Sequence, residues 1–242
     1  FGISPFGVWR NQSKDPRGSN TKGGQTNYDD LYADILLWLE KGWIDYVTPQ
    51  LYWERGHKLC DYDGLLEWWN NNTFGEHMYV GHGIYRSGTN AAWKDKNELP
   101  LQIQKLRSLS NTQGSAYFSS KTFEKNPNGW NDSLRNNYYA YPALPNPMPW
   151  IDSIAPEMPF LEPLNDGINR ISYKGKEKIK GYAIFTVDEK QEVILANARL
   201  VQIILQGGTN NIDALKWFNQ NKRVFVSTVD WNNNISKWME MK

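Results

Sequence analysis

The chain has few of the residues that most often announce chemistry. Its 242 residues include one cysteine, Cys60, and three histidines. A single thiol excludes an intrachain disulfide and leaves the redox compartment unread. Such a thiol is usually passive, because a reactive one needs a lowered pKa. His57, His77 and His82 are scattered and lack a companion acid cluster, so no metal site is expected. No Gly-x-Ser-x-Gly elbow is present, and nothing points to a serine or cysteine hydrolase. No glycine-rich phosphate loop follows a strand, so no dinucleotide or other cofactor is expected. Charge of one sign is also missing. The 27 Lys and Arg face 26 Asp and Glu, for a net charge of +1. Electrostatics therefore give no case for nucleic acid or an anionic membrane as partner. No apolar run approaches the roughly 20 residues that a transmembrane span needs.

Aromatic residues, by contrast, are plentiful. They make up 14% of the chain, with 12 Trp among them, more than packing alone usually demands. The first residue, Phe1, already lies in a strand-like run, with neither Met nor a charged-then-apolar leader before it. A cut or processed chain is expected, with any targeting signal lost.

The first 125 residues alternate strand-like and helix-like segments. Phe1–Trp9 is a short apolar run broken by glycine and proline. A polar, glycine-bearing loop follows. A helix is predicted over about 28–41, capped by Asn27, with Asp29 and Asp30 in its first turn. Leu31, Ile35, Trp38 and Leu39 fall at i, i+4, i+7 and i+8 and form a buried stripe. Trp43–Trp53 reads as a second strand, and Asp61 precedes a helix of about 62–71 with Tyr62, Leu65, Leu66 and Trp69 on one face. His77–Tyr85 is the third strand. A helix of about 97–109 carries Leu99, Ile103 and Leu106, and Pro100 suits its first turn. Gly114–Ser120 is the fourth strand. Apolar strands separated by amphipathic helices imply a parallel sheet with right-handed crossovers. Four such units make half of an eight-stranded barrel or a small open doubly wound sheet.

The character changes near residue 140. Residues 141–150 hold four prolines and exclude regular helix or central strand. They read as a linker or as a strap across the first domain. Short strand-like runs follow at Ile168–Tyr173, Lys180–Val187, Leu200–Leu205 and Arg223–Asp230, with a final strand around Trp238. Turn residues separate most of them, as in a β-sandwich. Only Asp213–Phe218 looks helical. The predicted organisation is a partial (β/α) barrel over 1–140, a linker over 141–150 and a β-sandwich over 151–242.

Three motifs occur in order: Phe1-Gly-Ile-Ser-Pro-Phe-Gly-Val-Trp-Arg-Asn11, Tyr28-Asp-Asp-Leu-Tyr-Ala-Asp34 and Gly42-Trp-Ile-Asp-Tyr-Val-Thr-Pro-Gln-Leu-Tyr-Trp53. Together they resemble the glycosyl-hydrolase-like ten family, bacterial secreted or lipoprotein glycosidases distantly related to amylase-type barrels. The resemblance covers roughly residues 1–125. It implies a TIM barrel, of which this chain is the C-terminal half. It also implies a glycan strand as partner, of peptidoglycan type in some members, and an extracytoplasmic location. Residues 150–242, through Gly181–Phe185 and Val224–Ser236, are similar to a fibronectin type III-like sandwich. The family's acidic strand-end motif precedes the segment seen here, so a principal catalytic carboxylate is expected to be missing.

In such barrels the functional groups sit where strands end. The four ends supply Trp9, Arg10 and Asn11; Gln50, Tyr52, Trp53 and Glu54; His82, Tyr85 and Arg86; and Ser119, Ser120 and Lys121. Sugars suit this set, because ring faces stack on Trp and Tyr while amides and guanidinium meet the hydroxyls. The expected substrate contacts are Trp9, Arg10, Asn11, Gln50, Tyr52, Trp53, His82 and Tyr85. Each aromatic has a core role as its alternative. Glycoside hydrolysis usually needs two carboxyls. Glu54, the only acid just past a strand end, is either a catalytic partner or a solvated loop residue. His82 is either a ligand contact or a hydrogen-bonded core residue. Asp45 begins its strand and is expected to be structural. A four-strand half-barrel exposes two sheet edges, so self-association is expected. A non-catalytic carbohydrate-binding or cell-surface scaffold remains the alternative to an enzyme.

Overall fold

A computed structural model describes residues 1–165, 167–207 and 211–241. The chain forms two compact units, Phe1–Tyr138 and one from Tyr139 onward.

The first unit alternates strands and helices. β1 is Gly2–Ile3, α1 is Asn27–Leu31 and α2 is Ile35–Glu40. The single helix expected over 28–41 is therefore two. Thr26, not Asn27, caps α1, and Thr26 Oγ1 accepts the amide of Asp29 at 3.2 Å. Tyr32 then turns left-handed (φ 53°) and ends the helix. Asp34 restarts it by accepting the Leu37 amide at 3.2 Å. Asn27 is buried and holds β1's continuation, bonding the Phe6 amide at 3.0 Å and the carbonyls of Phe6 and Val8.

The expected strand at 43–53 is also two pieces, β2 (Tyr46–Val47) and β3 (Gln50–Leu51). Pro49 lies between them and has no amide to give a ladder. Parallel pairing continues across the break, with the Gln50 amide on Pro5 O at 3.0 Å and the Gly81 amide on Pro49 O at 2.9 Å. α3 (Tyr62–Asn70) is capped by Asp61 and buries Tyr62, Leu65, Leu66 and Trp69, the stripe read from the sequence. β4 is His77–His82 and leads into a 3-10 turn, Ile84–Arg86. α4 (Ala91–Lys94) and α5 (Glu98–Arg107) follow, with Leu99, Ile103 and Leu106 buried. β5 (Thr112–Tyr117), α6 (Ser120–Phe123) and α7 (Trp130–Ser133) complete the unit.

All described pairings in this sheet are parallel, in the spatial order β1, β2 with β3, β4, β5. Val47, Leu51, Met78 and Val80 on the strands pack with Ile35, Leu39, Leu65, Trp69 and Ile103 on the helices. Each large apolar side chain so buried contributes about 1.5–3 kcal/mol. The C-terminal ends of consecutive strands thus lie side by side.

The second unit is mainly antiparallel. Its strands are β6 (Phe160–Asn165), β7 (Ile168–Ser172), β8 (Ile179–Asp188), β9 (Arg199–Leu205), β10 (Asn211–Asp213), β11 (Lys222–Asp230) and β12 (Met239–Glu240). The helical look of 213–218 becomes one short helix, α8 (Leu215–Phe218). One sheet runs β10-β7-β6 and the other β12-β11-β8-β9. Alternate residues of β8 and β11 serve two cores. Tyr182, Ile184, Val224 and Val226 pack with Ile171 and Ile212 of the first sheet. Ala183, Phe185, Phe225 and Val229 form a second cluster, against which Leu144, Ile235 and Trp238 pack. The proline-dense run is therefore part of this unit. Leu144 packs on its sheet, and Arg199 Nη1 donates to the Tyr141 hydroxyl at 2.9 Å.

Candidate functional site

The first strand end is structural. Trp9 is fully buried, its indole N–H donates to Asp34 Oδ1 at 3.3 Å, and its ring stacks with Trp68. No ring face is open to a sugar. Arg10 is committed to Asp29, with Nη2 on Oδ1 at 2.7 Å, and lies over the Tyr28 ring. Asn11 clamps the loop, accepting the Gly23 amide at 2.8 Å and donating to the Gly23 carbonyl at 2.9 Å. These three candidates keep β1's exit rigid and do not converge on the others.

The other strand ends do converge. Tyr52 follows β3, Tyr85 follows β4 and Phe118 follows β5. Tyr52 and Tyr85 meet edge to face at 5.7 Å, and Phe118 lies 5.9 Å from Tyr85 and 6.2 Å from Tyr52. Tyr85 is 48% and Phe118 59% exposed, while Tyr52 is half-buried. Gly83 is what lets Tyr52 in, because a Cβ there would sit 2.9 Å from the Tyr52 Cβ. Burial, together with the neighbouring Tyr85, pushes the Tyr52 hydroxyl pKa up and keeps it a donor. Trp53 turns the other way, edge-on to Phe6 at 5.6 Å, and Gln50 Nε2 donates to Ser4 O at 3.0 Å.

Glu54 is not a free loop residue. Oε1 accepts Asn90 Nδ2 and Oε2 accepts the Trp93 indole, each at 3.0 Å. Both donors are neutral, so the carboxylate is oriented without its charge being cancelled by a cation. It lines a concavity of 560 Å³ with Gly56, His57, Lys58 and Leu59. His57 Nδ1 accepts the Cys60 amide at 3.1 Å. In the neutral ring the proton is then on Nε2.

His82 belongs to the core. It is fully buried, lies between the rings of Tyr62 and Tyr117, and has two fixed partners. Gln102 donates through Nε2 to Glu98 Oε1 at 2.9 Å and to Trp53 O at 3.3 Å. Its Oε1 therefore faces His82 Nδ1, at 3.0 Å, and that nitrogen carries the proton. His82 Nε2 then accepts from Ser115 Oγ at 3.1 Å. Burial lowers the His82 pKa to about 4, opposed in part by the Gln102 bond. Burial raises the Glu98 carboxyl, while the Arg55 amide and Gln102 oppose the shift. The polar chain from Arg55 through Glu98, Gln102 and His82 to Ser115 ties α5 to β4 and β5.

A second concavity of 370 Å³ is lined by Tyr85, Ser87, Lys121, Thr122, Lys125 and Pro127. Asp45 lies at the opposite end of the sheet, where it pairs with the Phe1 amino group. Among the described residues no group of three or more His, Cys, Asp and Glu is placed to hold a metal ion, and no helix is long and apolar enough to cross a membrane.

Sequence reasoning missed Phe118, Asn90, Trp93 and the α5 pair Glu98 and Gln102. Phe118 was within reach, since it immediately precedes the serines read as the fourth strand end. The others lie 36, 39, 44 and 48 positions after Glu54 and carry no local pattern that points to it or to His82.

Residues 1–99 match the family described as Glycosyl hydrolase-like 10. The chain is 43% identical over 212 residues to Glycosyl hydrolase YngK of Bacillus subtilis (strain 168), covering 82% of this chain and 42% of that protein. It is also 43% identical over 90 residues to Glycosyl hydrolase DigH of Escherichia coli (strain K12) and of Shigella flexneri, 36% of this chain and 20% of each relative. The chain thus spans less than half the length of these curated relatives.

Proposed function

We propose, because residues 1–99 belong to the glycosyl hydrolase-like 10 family, that this chain is the glycan-contacting part of a glycoside hydrolase. The observation that carries the reading is the cluster of Tyr52 with the exposed Tyr85 and Phe118 at three adjacent strand ends, together with Glu54, which Asn90 and Trp93 orient. Aromatic faces of this kind suit sugar rings. The four parallel βα units are the C-terminal half of a TIM barrel, and the antiparallel unit is a fibronectin type III-like sandwich. The substrate is a bacterial cell-wall glycan strand of peptidoglycan type, and the protein works outside the cytoplasm. Cell fractionation with an antibody tests the location, and recovery only in the cytoplasm would end that part.

Glu54 serves as one of the two carboxyls. Asn90 and Trp93 fix its orientation, and the second carboxyl comes from outside the strand ends described above. The test is hydrolysis of isolated glycan strands by the full-length protein. Glu54→Gln is expected to lower kcat by about 10²-fold or more, the usual contribution of a general acid or base. Unchanged turnover would remove Glu54 from the chemistry.

A non-catalytic glycan-binding scaffold is the second reading. It is favoured by the single reachable carboxylate among these strand ends. Calorimetry of the full-length protein separates the two, since binding without turnover selects the scaffold.

A further inference from the structure

We infer that the second unit carries a ligand site of its own, an open cavity bordered by the proline-dense run that takes a neutral sugar bearing an acylamino group. The strand-end reading concerns the first unit, and this site does not depend on it.

The cavity follows from the sequence of its wall. Pro142, Pro145 and Pro147 have no amide to give a ladder, so residues 142–148 run past the sheet without joining it as a strand. Leu144 packs on the sheet, and the space that remains measures 580 Å³ and is lined by residues of this unit alone. Small-molecule sites run from about 300 to 1,000 Å³. The floor is apolar, with Phe185 and Leu200 buried and Leu144 and Ile235 half-buried. The rim is exposed and polar, with Tyr141, Asn146 and Arg199.

The walls are held in place without a ligand. Arg199 Nη1 donates to the Tyr141 hydroxyl at 2.9 Å, and its guanidinium lies 5.1 Å over the Tyr141 ring. That contact steadies the ring from one face, and the ring is still 48% exposed. The turn that brings Asn234 and Ile235 to the cavity is tied down as well. The Asn234 amide donates to Asp230 Oδ1 at 2.8 Å, and Asn234 Nδ2 reaches Asp230 Oδ2 at 2.9 Å and Asp152 O at 3.1 Å. A site already ordered gives up little conformational freedom when it binds.

The lining chemistry selects the ligand class. Arg199 is the only charged residue among the described ones that line the cavity, and no acid is there to balance an ammonium group. Its charge already serves the Tyr141 ring and hydroxyl, so a neutral ligand fits best. The Tyr141 ring suits the C–H face of a sugar. Asn146 has no side-chain hydrogen-bond partner among the described residues, and its amide offers both donor and acceptor. An acylamino group answers both parts of the cavity, since its methyl meets the apolar floor while its N–H and C=O pair with an amide at the rim. A bare hydroxyl in that place would face Phe185 and Leu200 without a partner, which is costly.

The experiment is calorimetry of the whole chain with chitin oligosaccharides and with cellulose oligosaccharides of equal length, which differ in the acylamino group alone. The chitin oligomer is expected to bind about tenfold tighter, the scale of one well-made hydrogen bond. Tyr141→Ala should weaken that binding about tenfold, Tyr141→Phe should keep most of it, and Asn146→Asp should erase the preference over cellulose. Tyr141 and Asn146 are exposed, so these variants should fold, and unchanged circular dichroism spectra check it. The double variant Tyr85→Ala/Phe118→Ala, which alters only the first unit, should retain the preference. Chitin binding that Tyr141→Ala leaves untouched overturns the site, and the strand-end reading stands if the double variant then removes it. Equal binding of the two oligomers overturns the acylamino class. Failure of both to bind overturns the site, while hydrolysis by the full-length protein still decides the strand-end reading.

Discussion

Trp9 and Tyr85 are both aromatic and both stand at strand ends, yet burial assigns them opposite tasks. Trp9 is enclosed and hydrogen-bonded to Asp34, so Trp9→Ala should cost about 3–5 kcal/mol of stability. Tyr85 is 48% exposed, and Tyr85→Ala should change stability little while weakening glycan binding. Chemical denaturation alongside calorimetry separates the two, and a Trp9→Ala chain as stable as the parent would contradict the core assignment. His82 makes a different prediction. Its folded pKa is about 4, below the 6.5 of a free imidazole. Between those values the unfolded chain binds the proton and the folded chain does not, so stability rises with pH. The contribution is fully present above about pH 6.5 and is lost as pH falls toward 4, about 3 kcal/mol in all. Thermal unfolding of the first unit should therefore show a falling Tm from pH 7 to pH 5, and His82→Gln should flatten that slope. An unaltered slope in the variant would mean that other groups carry it. The sequence could not sort these cases. Near a strand end, inward and outward side chains alternate, and a one-residue error in the end reverses them.

At the scale of elements, legibility followed how local the determinant was. The stripes of α3 and α5 were readable because one face of each helix is buried and its spacing is 3.6 residues. The break between α1 and α2 was not, because it depends on a cap that competes with helix continuation and on a tertiary partner for that cap. Asp34 Oδ1 accepts from both the Leu37 amide and the Trp9 indole. Asp34→Ala removes both bonds and should cost about 1–3 kcal/mol. Asp34→Asn keeps an acceptor and should recover most of that. Amide hydrogen exchange across Ile35–Glu40 reports it directly, with faster exchange expected in the alanine variant only. Equal protection in both variants would show that the cap is unimportant. Pro49 likewise split a strand that composition alone joined, although the pairing of its neighbours kept the predicted parallel order. The strand-end rule singled out Tyr52 and Tyr85, which the fold brings together, and Glu54; it also singled out Trp53, which packs on Phe6 instead. It did not find Asn90 and Trp93, whose hydrogen bonds to Glu54 exist only once α4 has packed.

At the scale of the molecule, the parallel sheet raises a question of edges. β1 and β5 each pair on one side only among the described strands. Ile3 of β1 also lines a concavity of 360 Å³ with Phe6, Leu31, Ala33, Ile35 and Trp38. No residue of β5 is fully buried, although it carries no charge and Ala116 is exposed. An uncharged edge of unpaired amides and carbonyls is a template for another chain, and native edges commonly carry lysine to prevent it. We therefore expect this 242-residue chain to self-associate through its first unit, burying at least one such edge. Multi-angle light scattering over a concentration series should show a mass that climbs from monomer toward dimer or beyond. Ala116→Lys, which places a charge on β5 without touching the apolar core, should return the mass to monomer. A wild-type chain that stays monomeric across the series would show that these edges are closed by something other than a second copy.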